Sequence, residues 1–214
     1  MKFNFGIFDG FFGKVFDKKT GGFVPSGKRK DIDYELEEGL KNIESEGHLV
    51  LEIKRNMDEI VVIYQRWVNK ELEDEIDIAA LIISKKGIWI PHPHMIVHRE
   101  ESSKSLHIAD IKIKGDCINK GYGSLMMSHL LKKARNEKNE VYFITGVISS
   151  VDADHIDRLL HFYKKHGFLY RLDESITTGQ LLWINDEITL TNEQIDIIFN
   201  QITFFGLKNT IKLA

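Results

Sequence analysis

The sequence has little cysteine, no excess of either charge and no long apolar run, and each lack narrows what the chain can be. A single cysteine, Cys117, occurs in 214 residues, so an internal disulfide framework is excluded. A reducing, cytoplasmic setting is therefore expected. Lys and Arg number 29 against 32 Asp and Glu, for a net charge of −3, and no basic footprint marks a nucleic-acid binder. No apolar run approaches the roughly 18 residues of a membrane helix. The segment from Met1 to Gly13 is aromatic but broken by Gly6, Asp9, Gly10 and Gly13, so it is not expected to act as a signal peptide. Repeats, low-complexity linkers and a clear domain boundary are also missing. Hydrophobic residues make up 43% of the chain, enough for a sizeable core. One domain over residues 1–214 is expected.

The periodicity predicts a mixed α/β domain. Residues 1–30, rich in Phe and Gly and ending in Lys28-Arg29-Lys30, read as short strands and turns or as an N-terminal arm. Ile32, Leu36, Leu40 and Ile43 then form a helical stripe over Asp31 to Glu46, stopped by Gly47. Strand-like runs follow at Leu49–Ile53, Ile60–Tyr64, Ile76–Ile83, Ile88–Ile90 and Met95–Val97. Leu106 to Ile113 alternates. It is expected to turn Leu106, Ile108, Asp110 and Lys112 to one face, and His107, Ala109, Ile111 and Ile113 to the other. A helix over Ser124 to Asn136, a buried strand over Val141 to Ile148 and a helix over Asp154 to His166 come next. Last come a strand over Gln180 to Ile184 and a helix opened by a Thr191–Gln194 capping box, with Ile195, Ile198, Phe199, Ile202 and Phe205 on its stripe.

The most informative stretch joins the alternating strand to the next helix through Ile118-Asn119-Lys120-Gly121-Tyr122-Gly123-Ser124. Glycines let backbone approach a ligand closely. The first helical turn offers unpaired N–H groups and a positive dipole end, which together suit phosphate oxygens. A dinucleotide fingerprint is excluded because its sixth position holds Met126 rather than Gly. A Walker A loop is approached at Gly22 to Arg29, but Arg29 stands where the metal-binding hydroxyl belongs. A turn that simply needs glycines is the plain alternative.

A second motif, Phe162-Tyr163-Lys164-Lys165-His166-Gly167-Phe168, ends the next helix. In order and spacing, the two motifs and the strand between them resemble the GNAT superfamily of N-acetyltransferases. The resemblance spans Leu106 to Leu169, with a recognisable core at about 105–170. It implies a central, mostly antiparallel, splayed sheet flanked by helices. It also implies acetyl-CoA as co-substrate and direct attack of an amine on the thioester in a ternary complex. By the same resemblance, main-chain groups of Ile111, Lys112 and Ile113 hold pantetheine, and Ile118 to Ser124 (Ile118, Asn119, Lys120, Gly121, Tyr122, Gly123, Ser124) hold pyrophosphate. Two positions depart from the family: Ile118 replaces a Gln or Arg, and Ile156 replaces an Asn that contacts CoA. Ser149, Ser150 or Asp154 could supply that contact. A GNAT-like binding or regulatory protein without catalysis is the alternative these departures favour.

Tyr163 is the expected acid for the leaving thiolate, because a phenol near pKa ~10 is matched to a thiol. The plain alternative is a core aromatic beside Leu159 and Phe162. His107, fourteen positions before Gly121, is the expected base, with Asp110 in reserve. A half-buried strand histidine is the plain reading of His107. His92, His94 and His98 would share one face of an extended strand, so a metal-binding module is a further alternative. The plain reading is a solvated turn and strand edge, and the lining of an acceptor pocket is another. Cys117 reads as structural. The last helix reads as core packing or, more sharply, as a homodimer contact. The acceptor, a small-molecule or peptide amine, is not written in any motif; no nucleic acid or membrane partner is expected.

Overall fold

A computed structural model describes residues 21–25, 31–66, 74–174, 176–203 and 206–207. Lys28-Arg29-Lys30, most of the 1–30 segment with most of the Walker-like stretch, and Phe205 lie outside the described residues. In chain order the elements are β1 (Gly22–Val24), α1 (Ile32–Ser45), β2 (Leu49–Arg55), β3 (Glu59–Arg66), β4 (Glu75–Ser84), β5 (Gly87–Ile90), β6 (His94–Glu100) and β7 (Ser105–Lys112). They continue as α2 (Tyr122–Asn136), β8 (Phe143–Ile148), α3 (Ile156–Lys165), β9 (Leu169–Leu172), β10 (Gly179–Ile184), α4 (Asn192–Gln201), β11 (Ile202–Thr203) and β12 (Gly206–Leu207).

Local chemistry sets the helix ends. The Asp31 carboxylate accepts from the N–H groups of Asp33 and Tyr34 at 3.0 and 3.3 Å, which caps α1. Asp33 and Glu35 in its first turn suit the dipole. The Thr191–Gln194 capping box forms as expected, with bonds of 3.2 and 2.8 Å. Three expectations are corrected. The helix after the glycine loop starts at Tyr122, with Gly121 as its N-cap, rather than at Ser124. The last helix stops at Gln201, and Ile202 is extended and enters β11 rather than the helical stripe. The helix before Gly167 starts at Ile156, after a 3-10 turn over Ser150–His155, rather than at Asp154.

Ten strands form one sheet in the order β1-β5-β4-β6-β7-β8-β10-β9, with β2 and β3 added beside β4. Every pair is antiparallel except β7 with β8. Alternation in β3 and β4 sends Val61, Ile63, Ile78, Ala80 and Ile82 to the face covered by α2 and α3. It sends Ile60, Val62, Tyr64, Ala79, Leu81 and Ile83 to α1 on the opposite face. Farther along that opposite face, α4 lays Ile198 and Phe199 on Phe143 and Leu182. Each of the Val, Leu, Ile and Phe side chains so removed from water contributes about 1.5–3 kcal/mol before conformational entropy is set against it. α1 and α4 stand over opposite ends of the sheet, and the strands β6 and β7 lie between them.

The alternation expected for β7 is interrupted. Ile96 pairs with Asp110 and Val97 with Ile108, so Ala109 is an extra residue in a β-bulge. The bulge switches faces. Leu106, Ile108, Ile111 and Ile113 all pack on the α2–α3 side. His107 does not share the face of Ile111, and Asp110 and Lys112, joined at 2.9 Å, do not share that of Ile108.

Candidate active site

β7 and β8 are parallel neighbours only where Ser105–Ile108 meet Phe143–Gly146. Beyond that, β7 continues to Lys112 beside β6, and β8 continues to Ile148 beside β10. The sheet therefore opens between the two strand ends. Among the described residues, the β7 edge past Ile108 has no strand partner on its β8 side, which leaves main-chain groups to meet an extended ligand.

The glycine loop ends at this opening. Asn119 has φ 62° and Gly121 φ 91°, left-handed values that fold the chain tightly into α2. Gly121 is the N-cap, and no side chain caps the helix there. The first-turn N–H groups are thus left to an outside acceptor. Gly123 is closely packed: a Cβ there would lie 3.0 Å from Ile113 Cδ1 and 3.4 Å from Phe162, so those side chains would have to give by a few tenths of an ångström. Tyr122 anchors the turn from below, its hydroxyl donating to Glu59 Oε2 at 2.8 Å. Burial raises the pKa of that phenol, with the Glu59 hydrogen bond adding to the shift.

The second motif closes on the first. Lys165 Nζ and His166 Nε2 both lie 3.2 Å from Ser124 Oγ, so a cation from the end of α3 stands at the open end of α2. Burial lowers the His166 pKa, and Lys165 lowers it further.

The whole arrangement has its counterpart in sequence: residues 40–168 match the profile of the acetyltransferase (GNAT) family. The chain belongs to that family. The mixed α+β fold, with its large, mostly antiparallel, splayed sheet and four helices, is the fold of GNAT proteins. The uncharacterised protein YocC of Bacillus subtilis (strain 168) is 37% identical over 81 residues, which cover 38% of this chain and 46% of the relative. Among solved structures, the PaiA N-acetyltransferase of Thermoplasma acidophilum, in complex with coenzyme A, is similar at 11% identity and a TM-score of 0.39. That alignment covers 52% of this chain and 61% of that one. A nourseothricin acetyltransferase aligns at 15% identity and TM-score 0.39, over 77% of this chain and 96% of its own. The chain thus spans less than two thirds of the curated relative and of the Thermoplasma protein.

Within this GNAT site the expected residues are unequally placed. Tyr163 is buried at 6% exposure, its ring between Phe162 and Phe168 with centroids 5.2 Å from each. His107 lies at the root of the splay, 2% exposed, with Nδ1 2.9 Å from Thr145 Oγ1. Ile118 is exposed, and Ile156 packs on the core below α3. Cys117 is buried, its thiol pushed up to about 12 chiefly by burial, which fits a structural role.

The reading of His92, His94 and His98 as a metal site is overturned: among the described residues no group of three or more metal-binding side chains converges. His94 and His98 stand four residues apart on β6, about 13 Å along an extended strand. Ligands of one zinc lie within about 4 Å of each other. His92 Nδ1 is instead bonded to the Tyr64 hydroxyl at 2.9 Å, and His94 Nδ1 to the His92 carbonyl at 3.2 Å. Sequence reasoning did not single out Tyr64, Arg66 or Asp77, which surround His92 and His94. The one available signal was Asp77, an acid inside the apolar run Ile76–Ile83.

Proposed function

We propose that this GNAT protein transfers an acetyl group from acetyl-CoA to an amine by direct attack within a ternary complex. The observation that carries the reading is the opening between β7 and β8 beside the uncapped N-terminus of α2. Pantetheine is extended and rich in amide groups, which suits the unpaired β7 edge at Ile111, Lys112 and Ile113. Pyrophosphate is anionic, which suits the main-chain N–H groups from Ile118, Asn119 and Lys120 through Gly121, Tyr122, Gly123 and Ser124, with Lys165 beside them.

In this reading Tyr163 gives its phenolic proton to the departing thiolate. Its burial among Phe162 and Phe168 supports a fixed ring position and the exclusion of water. His107, enclosed and bonded to Thr145, holds β7 to β8 where the opening begins, and we assign it positioning rather than proton transfer. Incubation with acetyl-CoA and a panel of primary amines, read as CoA thiol release, tests the reading. Amine-dependent release above the hydrolytic background is expected; its absence across the panel contradicts transfer.

A further inference from the structure

The face of the sheet between α1 and α4 carries a polar cluster that lies apart from the glycine loop and meets the proposed pantetheine edge only at Lys112. Cross-strand partners share a face. Tyr64, Ala79, His94 and Lys112 therefore form one row across β3, β4, β6 and β7, and Arg66, Asp77, Ile96 and Asp110 form the next. The first row ends at Lys112, on the part of β7 that has parted from β8. His94 thus stands one strand away from the opening.

Two features of this cluster point to a ligand. Asp77 is 2% exposed. Arg66 spends both Nε and Nη2 on its Oδ2, at 3.0 and 2.6 Å, while Oδ1 is buried with no hydrogen-bond partner among the described residues. A buried carboxylate oxygen left unmatched is costly and calls for a donor. The second feature is the orientation of His94. A carbonyl oxygen only accepts, so the bond to the His92 carbonyl fixes the proton of the neutral His94 ring on Nδ1 and leaves the lone pair on Nε2.

We propose that this cluster is the acceptor subsite, with His94 as the general base and Asp77 Oδ1 as the hydrogen-bond acceptor for a second N–H or O–H of the acceptor. The substrate class is then an amine that carries a further donor group. The amine nitrogen forms a bond to the thioester carbonyl carbon as the C–S bond breaks. The nitrogen's surplus proton passes to His94 Nε2, and the sulfur leaves with the bonding electron pair and takes a proton from Tyr163. The charged and titratable groups facing His94 are Arg66 on β3, Asp77 on β4, Lys112 with its partner Asp110 on β7, and His92 with Tyr64 behind it; Glu46 and His48, at the end of α1, meet Tyr64. Burial is the largest influence and lowers the His94 pKa; the hydrogen bond to the His92 carbonyl opposes it, Arg66 lowers the pKa further, and the smaller effects of Asp77 and Lys112 run in opposite directions. The ring is accordingly neutral and ready to accept at pH 7.

This subsite rests on the transfer reading, so acetyl-CoA affinity is measured beside it. With the best amine of the panel, His94→Ala is expected to lower kcat roughly 10²-fold, leave acetyl-CoA affinity within about twofold, and regain rate on addition of free imidazole. Asp77→Asn is expected to raise the amine KM roughly tenfold with a smaller change in kcat. ¹⁵N NMR of the native protein at pH 7 gives a check that needs no variant: the Nδ1–H form of His94 is expected, and the Nε2–H form contradicts the assignment. A native protein that binds acetyl-CoA and transfers, beside a folded His94→Ala of native kcat and pH profile, overturns the subsite and leaves transfer standing. A native protein that binds no acetyl-CoA overturns the transfer reading itself, and the subsite falls with it.

Discussion

His166 Nε2, just past the end of α3, lies 3.2 Å from Ser124 Oγ in the first turn of α2. This contact joins the two sequence motifs, 42 residues apart, and Lys165 shares it. The two basic residues are not equivalent there. Burial and the neighbouring Lys165 charge keep His166 below its usual pKa, so at pH 7.5 it is neutral. Lys165→Ala is expected to weaken acetyl-CoA binding roughly 5–10-fold, and less at high salt, as a lost cation should. His166→Gln should change it by less than about twofold. Calorimetry on both variants checks the difference.

Tyr163→Phe separates binding from chemistry. The ring keeps its place between Phe162 and Phe168, so acetyl-CoA affinity should hold within about twofold. Loss of the phenolic proton should reduce turnover roughly 10²-fold. Steady-state rates with the best amine decide the point; undiminished turnover removes Tyr163 from the reaction.

The bond from Tyr122 to Glu59 ties the glycine loop to β3. Tyr122→Phe should cost about 1.5–3 kcal/mol of stability in urea unfolding, the usual range for a hydrogen bond to a charged acceptor. It should also loosen the turn at Gly121 and weaken acetyl-CoA binding more than the stability loss alone explains.

Stability should fall in mild acid. Burial depresses the His92 pKa from 6.5 to about 4, and Arg66 and His94 add to the shift. Between those values the unfolded chain binds a proton that the folded chain refuses, so stability rises with pH across this window. It is complete above about pH 6.5 and is lost as pH falls toward 4, by up to about 3 kcal/mol. Denaturant midpoints at pH 7 and pH 5 check this. His92→Asn should flatten the dependence, while a slope unchanged in that variant would assign the acid sensitivity elsewhere.

Much of this site is legible in the sequence because its determinants are local. A glycine at positive φ, a helix start and a tyrosine at fixed distance from a glycine each leave a short pattern, and Gly121, Gly123, Tyr163 and Gly167 stand where those patterns put them. The Thr191–Gln194 box is of the same kind. Ala109 is different. A bulge adds one residue to an otherwise regular alternation, and only pairing with β6 reveals it, so alternation alone puts His107 on the face of Ile111 and Asp110 on that of Ile108. β9 was not anticipated either: Leu169 to Leu172 is short, half-exposed and begins right after Gly167-Phe168. The row of Tyr64, His94 and Lys112 joins residues up to 48 positions apart. Register between strands sets such a row, and no local spacing encodes it.

Acetyl-CoA titrated calorimetrically into the native protein and into Ser124→Glu tests the central claim most directly. A glutamate in the first turn of α2 suits the helix dipole and lies within reach of Lys165, so the variant should fold as well as the native chain. Its charge occupies the place assigned to pyrophosphate. Micromolar binding by the native protein, lost in a folded Ser124→Glu, is the predicted result; equal binding by both, or none by the native protein, contradicts it.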